Sequence, residues 1–120
     1  GYITLHIHAG LSEKNVAAAM DIARLVQDSM HQIESSMGVN LASDSLGYNR
    51  LASHVRYMIA RARKGERASL DMQDYARTSF PKPYEVAKMV CRYMEKRLGI
   101  PLAPEETGFL AIHIQRVMQQ

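Results

Sequence analysis

The sequence predicts an all-α protein, a five-helix bundle, and three observations carry that reading. Apolar residues recur at helical spacing along nearly the whole chain. No stretch alternates apolar and polar residues for long enough to make a strand. Gly, Pro and capping residues cut the 120-residue chain into five segments. One domain of this size, near the commonest range of about 100–150 residues, buries roughly two-thirds of its unfolded surface and needs no metal or disulfide to fold.

The first helix is read from Val16, Met20, Ala23, Val26, Met30, Ile33 and Met37, a narrow stripe with a mean step of 3.5 residues. Ser12 is its expected N-cap, Glu13 lies in its first turn and Gly38 is its stop. The second helix begins near Ser45 and turns Leu51, Val55, Met58 and Ile59 inward. Arg61-Ala62-Arg63-Lys64 before Gly65 suits the negative end of its dipole. A short third helix spans about Leu70 to Thr78. Pro81 and Pro83 then read as a break, because each disfavours helical backbone just before it. The fourth helix runs from about Tyr84 to Leu98 and stops at Gly99-Ile100-Pro101. The fifth begins near Pro104, with Glu105 and Glu106 in its first turn, and ends about Met118.

Composition excludes more than it assigns. Fifteen Lys and Arg against twelve Asp and Glu leave a charge of +3, too small by itself to point to nucleic acid. Cys91 is the single cysteine, so no internal disulfide forms, which suits a reducing, cytoplasmic setting. No apolar run approaches the roughly 20 residues of a membrane span, and no secretion signal opens the chain, so no membrane association is expected. Eight methionines suggest an adaptable binding surface. Core filling is the better reading, since Met20, Met30, Met37, Met58, Met89 and Met94 fall on the inward stripes.

One repeat interrupts the single-domain picture. Gly1-Tyr2-Ile3-Thr4-Leu5-His6-Ile7-His8 matches Gly108-Phe109-Leu110-Ala111-Ile112-His113-Ile114-Gln115 at an offset of 107 residues, about one module. Residues 1–10 are therefore read as the tail of a preceding module plus linker, and residues 11–120 as the module itself.

Five histidines offer chemistry: His6, His8, His31, His54 and His113. His54 shares a helix edge with Arg50, Tyr57 and Arg61, at i−4, i+3 and i+7. Cations beside an imidazole disfavour its protonation, leaving it nucleophilic near neutral pH. The same arginines would hold a phosphoryl group of about −1.5 to −2 charge. Against this, a histidine among arginines is usually just solvated, and one on an apolar face, as for His113, is usually a hydrogen-bonded core residue. His31 is read as structural. His6 and His8 lack the companions of a metal site, so no metal and no cofactor are expected.

A family resemblance tips the balance for two of them. Arg50-Leu51-Ala52-Ser53-His54-Val55-Arg56-Tyr57-Met58 resembles the Arg-Phe-x-Thr-His-Leu-Lys-Phe-Phe motif of PTS regulation domains. Pro83-Tyr84-Glu85-Val86-Ala87 and Glu106-Thr107-Gly108-Phe109-Leu110-Ala111-Ile112-His113-Ile114 resemble that domain's second motif, acidic residue included. The two histidines stand 59 residues apart, a separation similar to the family's. Leu51 and Met58 depart from the motif's aromatics, and Ser53 from its Thr.

The resemblance implies the second of two such domains in an antiterminator of the BglG/SacY/LicT type. Such domains are five-helix bundles that dimerise and control a separate N-terminal RNA-binding domain. They are regulators, not enzymes, phosphorylated on histidine by the HPr phosphocarrier or a sugar-specific enzyme II. Carried over residue by residue, His54 and His113 are the acceptors, and His6 corresponds to the second acceptor of the preceding domain. His8 aligns with Gln115 and corresponds to none. Arg50, Arg56, Arg61 and Arg116 are the candidate neighbours of the phosphoryl group. Rival readings are the same domain in a DNA-binding sugar-operon activator, a helical phosphotransfer module, and a nucleic-acid-binding module using Arg50, Arg56, Arg61, Arg63, Lys64 and Arg67.

Overall fold

In a computed structural model the chain folds into α1 (Tyr2–Met37), α2 (Leu46–Lys64), α3 (Gln73–Ser79), α4 (Pro81–Leu98) and α5 (Glu105–Met118), with no strand among the described residues. The structure describes the backbone of residues 2–68 and 70–119, and the side chains of residues 13, 15–68 and 70–119.

Helix α2 starts and stops where local chemistry places its ends. Ser45 is the N-cap, its Oγ accepting from the Tyr48 N–H at 3.1 Å. Gly65 closes it at φ 73°, a left-handed backbone that costs glycine little. Gly99 ends α4 the same way, at φ 71°.

Three boundaries differ from the expectation. Ser12 is no cap, because α1 runs without a break from Tyr2 to Met37. Helix α3 begins at Gln73, after Asp71 Oδ1 accepts the Gln73 N–H at 3.0 Å. Helix α4 begins at Pro81, three residues early, because its first backbone bond is the one from Tyr84 N–H to Phe80 O, at 2.9 Å. Pro81 and Pro83 occupy first-turn positions whose N–H would have no helical partner, so their missing donors cost nothing.

Packing follows a simple plan. Helix α1 lies against α2 and α4, while α5 lies against α2, α4 and α3. Helices α1 and α5 are thus diagonal to one another, with α2 and α4 between them. The core they share is built on Val26, Met30, Ile33, Leu51, Val55, Met58, Ile59, Val90, Met94, Leu110 and Ile114. Met30, Met58 and Met94 are fully buried and Met37 packs against the core, but Met20 is 58% and Met89 43% exposed. The stripe on α1 loses its cover towards its start, where Val16 is 57% exposed. The C-terminal ends of α2 and α4 lie beside α1 around Ala18 to Asp28, where Arg63, Arg97 and Leu98 gather and Arg97 donates to Asp28.

Helix α3 packs along α5, and Gly108 is where the start of α3 comes close against it. A Cβ added to Gly108 would stand 2.9 Å from Gln73 N and 2.9 Å from Met72 C, nearer than real contacts allow. Only glycine lets the two backbones approach this closely.

Candidate functional site

The site grows out of the α2–α5 seam. His54 and His113 stack across it, ring centroids 4.0 Å apart and planes 27° apart. Farther along, Arg61 makes a two-pronged bond to Glu106: Nε donates to Oε2 at 2.9 Å and an Nη to Oε1 at 2.8 Å. His54 to Arg61 is seven residues forward on α2, and His113 to Glu106 is seven residues back on α5. The helices are therefore antiparallel, with two polar rungs about 10.5 Å apart along the axis. Met58 and Leu110, both fully buried, lie between the rungs.

Glu106 is only 1% exposed, so its carboxylate depends on Arg61 to replace the water it has lost. The histidines face a different balance. Burial pushes His54 down from its ordinary 6.5 to about 3, helped by the neighbouring His113 and by the charge of Arg61. His54 Nε2 is buried with no hydrogen-bond partner among the described residues. His113 is also held below its ordinary value, by burial first, then by Arg116 and Arg61. Both rings are neutral at physiological pH, each with a nitrogen lone pair to offer.

A surface pocket of about 640 Å³ opens onto this pair. Its lining includes His54, His113, Arg50, Arg116, Asn49 and Ser53, and no acidic residue. A site with two neutral imidazoles, two exposed guanidiniums and no carboxylate suits a dianion.

The four arginines read as phosphoryl neighbours therefore separate. Arg50 and Arg116 line the pocket; Arg56 is exposed and is not part of its lining; Arg61 is engaged by Glu106. His54 is not the solvated residue among arginines that its own helix suggests, because α5 covers it. Glu106 was read only as a first-turn acid and motif residue; the matching seven-residue intervals on α2 and α5 were the signal for its partner. His6 and His8 lie outside the described side chains. Cys91 is buried, and burial raises its thiol to about 12, which makes it unreactive. Among the described residues no three His, Cys, Asp or Glu side chains gather as a metal site, and no helix is long and apolar enough to cross a membrane.

Comparison with known proteins places this geometry. The family model of the PRD domain matches residues 27–117. The chain is 26% identical to the protein GlcT of Staphylococcus haemolyticus, over 100% of its own length and 43% of that protein's. It is 25% identical to the PtsGHI operon antiterminator of Bacillus subtilis, over 98% of its length and 42% of the relative's. For the transcription antiterminator LicT of Bacillus subtilis the figures are 24%, 100% and 44%. The chain thus spans less than half of each of these relatives. The crystal structure of GlcT CAT-PRDI superposes with a TM-score of 0.73 at 21% identity, covering 83% of this chain and 58% of that one, which establishes the common fold. With a model match over most of its length and both histidines inside the matched segment, the chain belongs to the PRD domain family, a family of regulators rather than enzymes.

Proposed function

We propose that this module is the phospho-acceptor of a sugar-operon transcription antiterminator, receiving phosphoryl groups on His54 and His113 from the phosphotransferase system. The donor is the HPr phosphocarrier or a sugar-specific enzyme II. The observation that carries this reading is the stacked, neutral imidazole pair in an acid-free pocket with Arg50 and Arg116. The likeness of Gly1–His8 to Gly108–Gln115 supports a second-copy position, with residues 1–10 the tail and linker of an upstream module and His6 its acceptor. RNA binding, in this reading, belongs to a separate N-terminal domain, and the protein acts as a cytoplasmic homodimer.

The module works as a charge switch. Each phosphoryl group brings about −1.5 to −2 charges to a pocket whose lining carries no acidic residue. Arg50 and Arg116 are free to turn towards it, whereas Arg61 acts through its field while Glu106 holds it. Reversing a two-state equilibrium takes about 5.5 kcal/mol of differential stabilisation. Several charge-assisted bonds of about 1.5–3 kcal/mol each reach that sum. Incubation with phosphorylated HPr tests the assignment. Label is expected to fall in His54→Ala and in His113→Ala and to vanish in the double variant; three variants labelling like the parent would contradict it.

A further inference from the structure

Phosphoryl transfer between proteins needs a surface that brings the two imidazoles together, and the pocket's rim supplies one. Leu46, Arg50, Ser53 and Tyr57 succeed one another on α2 at steps of four, three and four residues, a second stripe facing away from the core. Leu46 is 62% and Tyr57 66% exposed, among the most exposed large apolar residues described, and both border the histidine pocket. Scattered apolar residues on a surface need no explanation, but two that flank the candidate acceptors do. They stand eleven residues apart on one helix, about 16.5 Å, far wider than a phosphoryl group.

Resting on the phospho-acceptor reading above, the geometry points to the Leu46–Tyr57 stripe as the docking surface for the donor, a protein that presents a phosphohistidine within an apolar collar. Charge selects this occupant. The pocket lining offers Arg50 and Arg116 and no acid, and Arg56 is exposed one residue before Tyr57, so an anionic apex is drawn in. Leu46 and Tyr57 then cover the donor's apolar surroundings at either end of the recess and hold its phosphorus in line with the acceptor nitrogen. The step itself is a plain exchange. The acceptor's nitrogen lone pair forms a new N–P bond as the donor's N–P bond breaks, and the released electron pair returns to the donor nitrogen. The donor ring gains the proton that the acceptor ring gives up.

Two donors separate docking from chemistry. Leu46→Ala, Tyr57→Ala and the double variant are labelled by phosphorylated HPr and, in parallel, by potassium phosphoramidate, a donor too small to need the rim. Labelling by phosphorylated HPr is expected to slow about tenfold in the double variant, with phosphoramidate labelling and sedimentation unchanged. Undiminished labelling by phosphorylated HPr would overturn the assignment. An equal loss with phosphoramidate would mark the residues as structural, and a changed sedimentation would make a second copy of the chain the occupant; either result overturns it as well. A parent that accepts label from neither donor would instead bring down the phospho-acceptor reading.

Discussion

His54 carries its own acid sensitivity. In the unfolded chain it protonates near 6.5, whereas in the fold it stays neutral until about pH 3. Between those values the unfolded state binds more protons, so stability is fully present above about 6.5 and is lost as the pH falls through this window. The slope approaches about 1.4 kcal/mol per pH unit from this one residue. His54→Gln is therefore expected to flatten the stability profile between about pH 6 and pH 4, as read from urea denaturation midpoints. Equal slopes for variant and parent would show that burial of this ring is not what it costs to protonate. The sequence had both histidines but misjudged the surroundings of one. Residues at i−4, i+3 and i+7 are visible from His54; α5, which covers it and contributes the stacked ring, is not.

At the scale of an element, Arg61 and Glu106 tie α2 to the first turn of α5. Their bond is bidentate and one partner is wholly buried, unlike the exposed pair of Arg77 with Asp74. Removing Arg61 leaves the buried Glu106 carboxylate uncompensated, so Arg61→Met is expected to cost about 3–5 kcal/mol. Replacing both, as Arg61→Met with Glu106→Leu, should cost clearly less than the two single changes summed, a coupling that a double-mutant cycle of denaturation free energies measures directly. Additive costs would mean the pair does not act as a unit. Most element ends were legible: Ser45, Gly65 and Gly99 act where their chemistry says they should. Pro81 and Pro83 misled because a proline breaks the helix before it but suits the first turn after it. Ser12 misled because capping residues are also tolerated inside helices, and nothing in the local sequence says which applies.

The whole molecule measures 60 × 30 × 22 Å, and its long dimension is set by α1. Periodicity identified the face that α1 turns to the bundle at Val26, Met30 and Ile33, but Ala23 on the same stripe is exposed while Leu25 beside it is buried. Nor could the pattern say where the neighbouring helices end. That is why Val26, Met30 and Ile33 are buried while Val16 and Met20 on the same stripe are exposed. Amides of α1 from Leu25 to Met37 should accordingly exchange with deuterium at least about tenfold more slowly than those from Val16 to Asp21. Uniform protection along the helix would show that the early stretch is covered in solution.

The equal seven-residue intervals on α2 and α5 have a consequence for movement. The seam is keyed in two places, and the two teeth have the same pitch. Turning α5 by the angle of a single residue, about 100°, would unseat the histidine stack and the Arg61–Glu106 bond together. Sliding it by one turn would do the same. Neither a turn of α5 about its axis nor a slide along it disturbs one rung and spares the other, so a charge at the histidine end that drives either motion is felt as a misfit at the far end, where α2 hands the chain on towards α3.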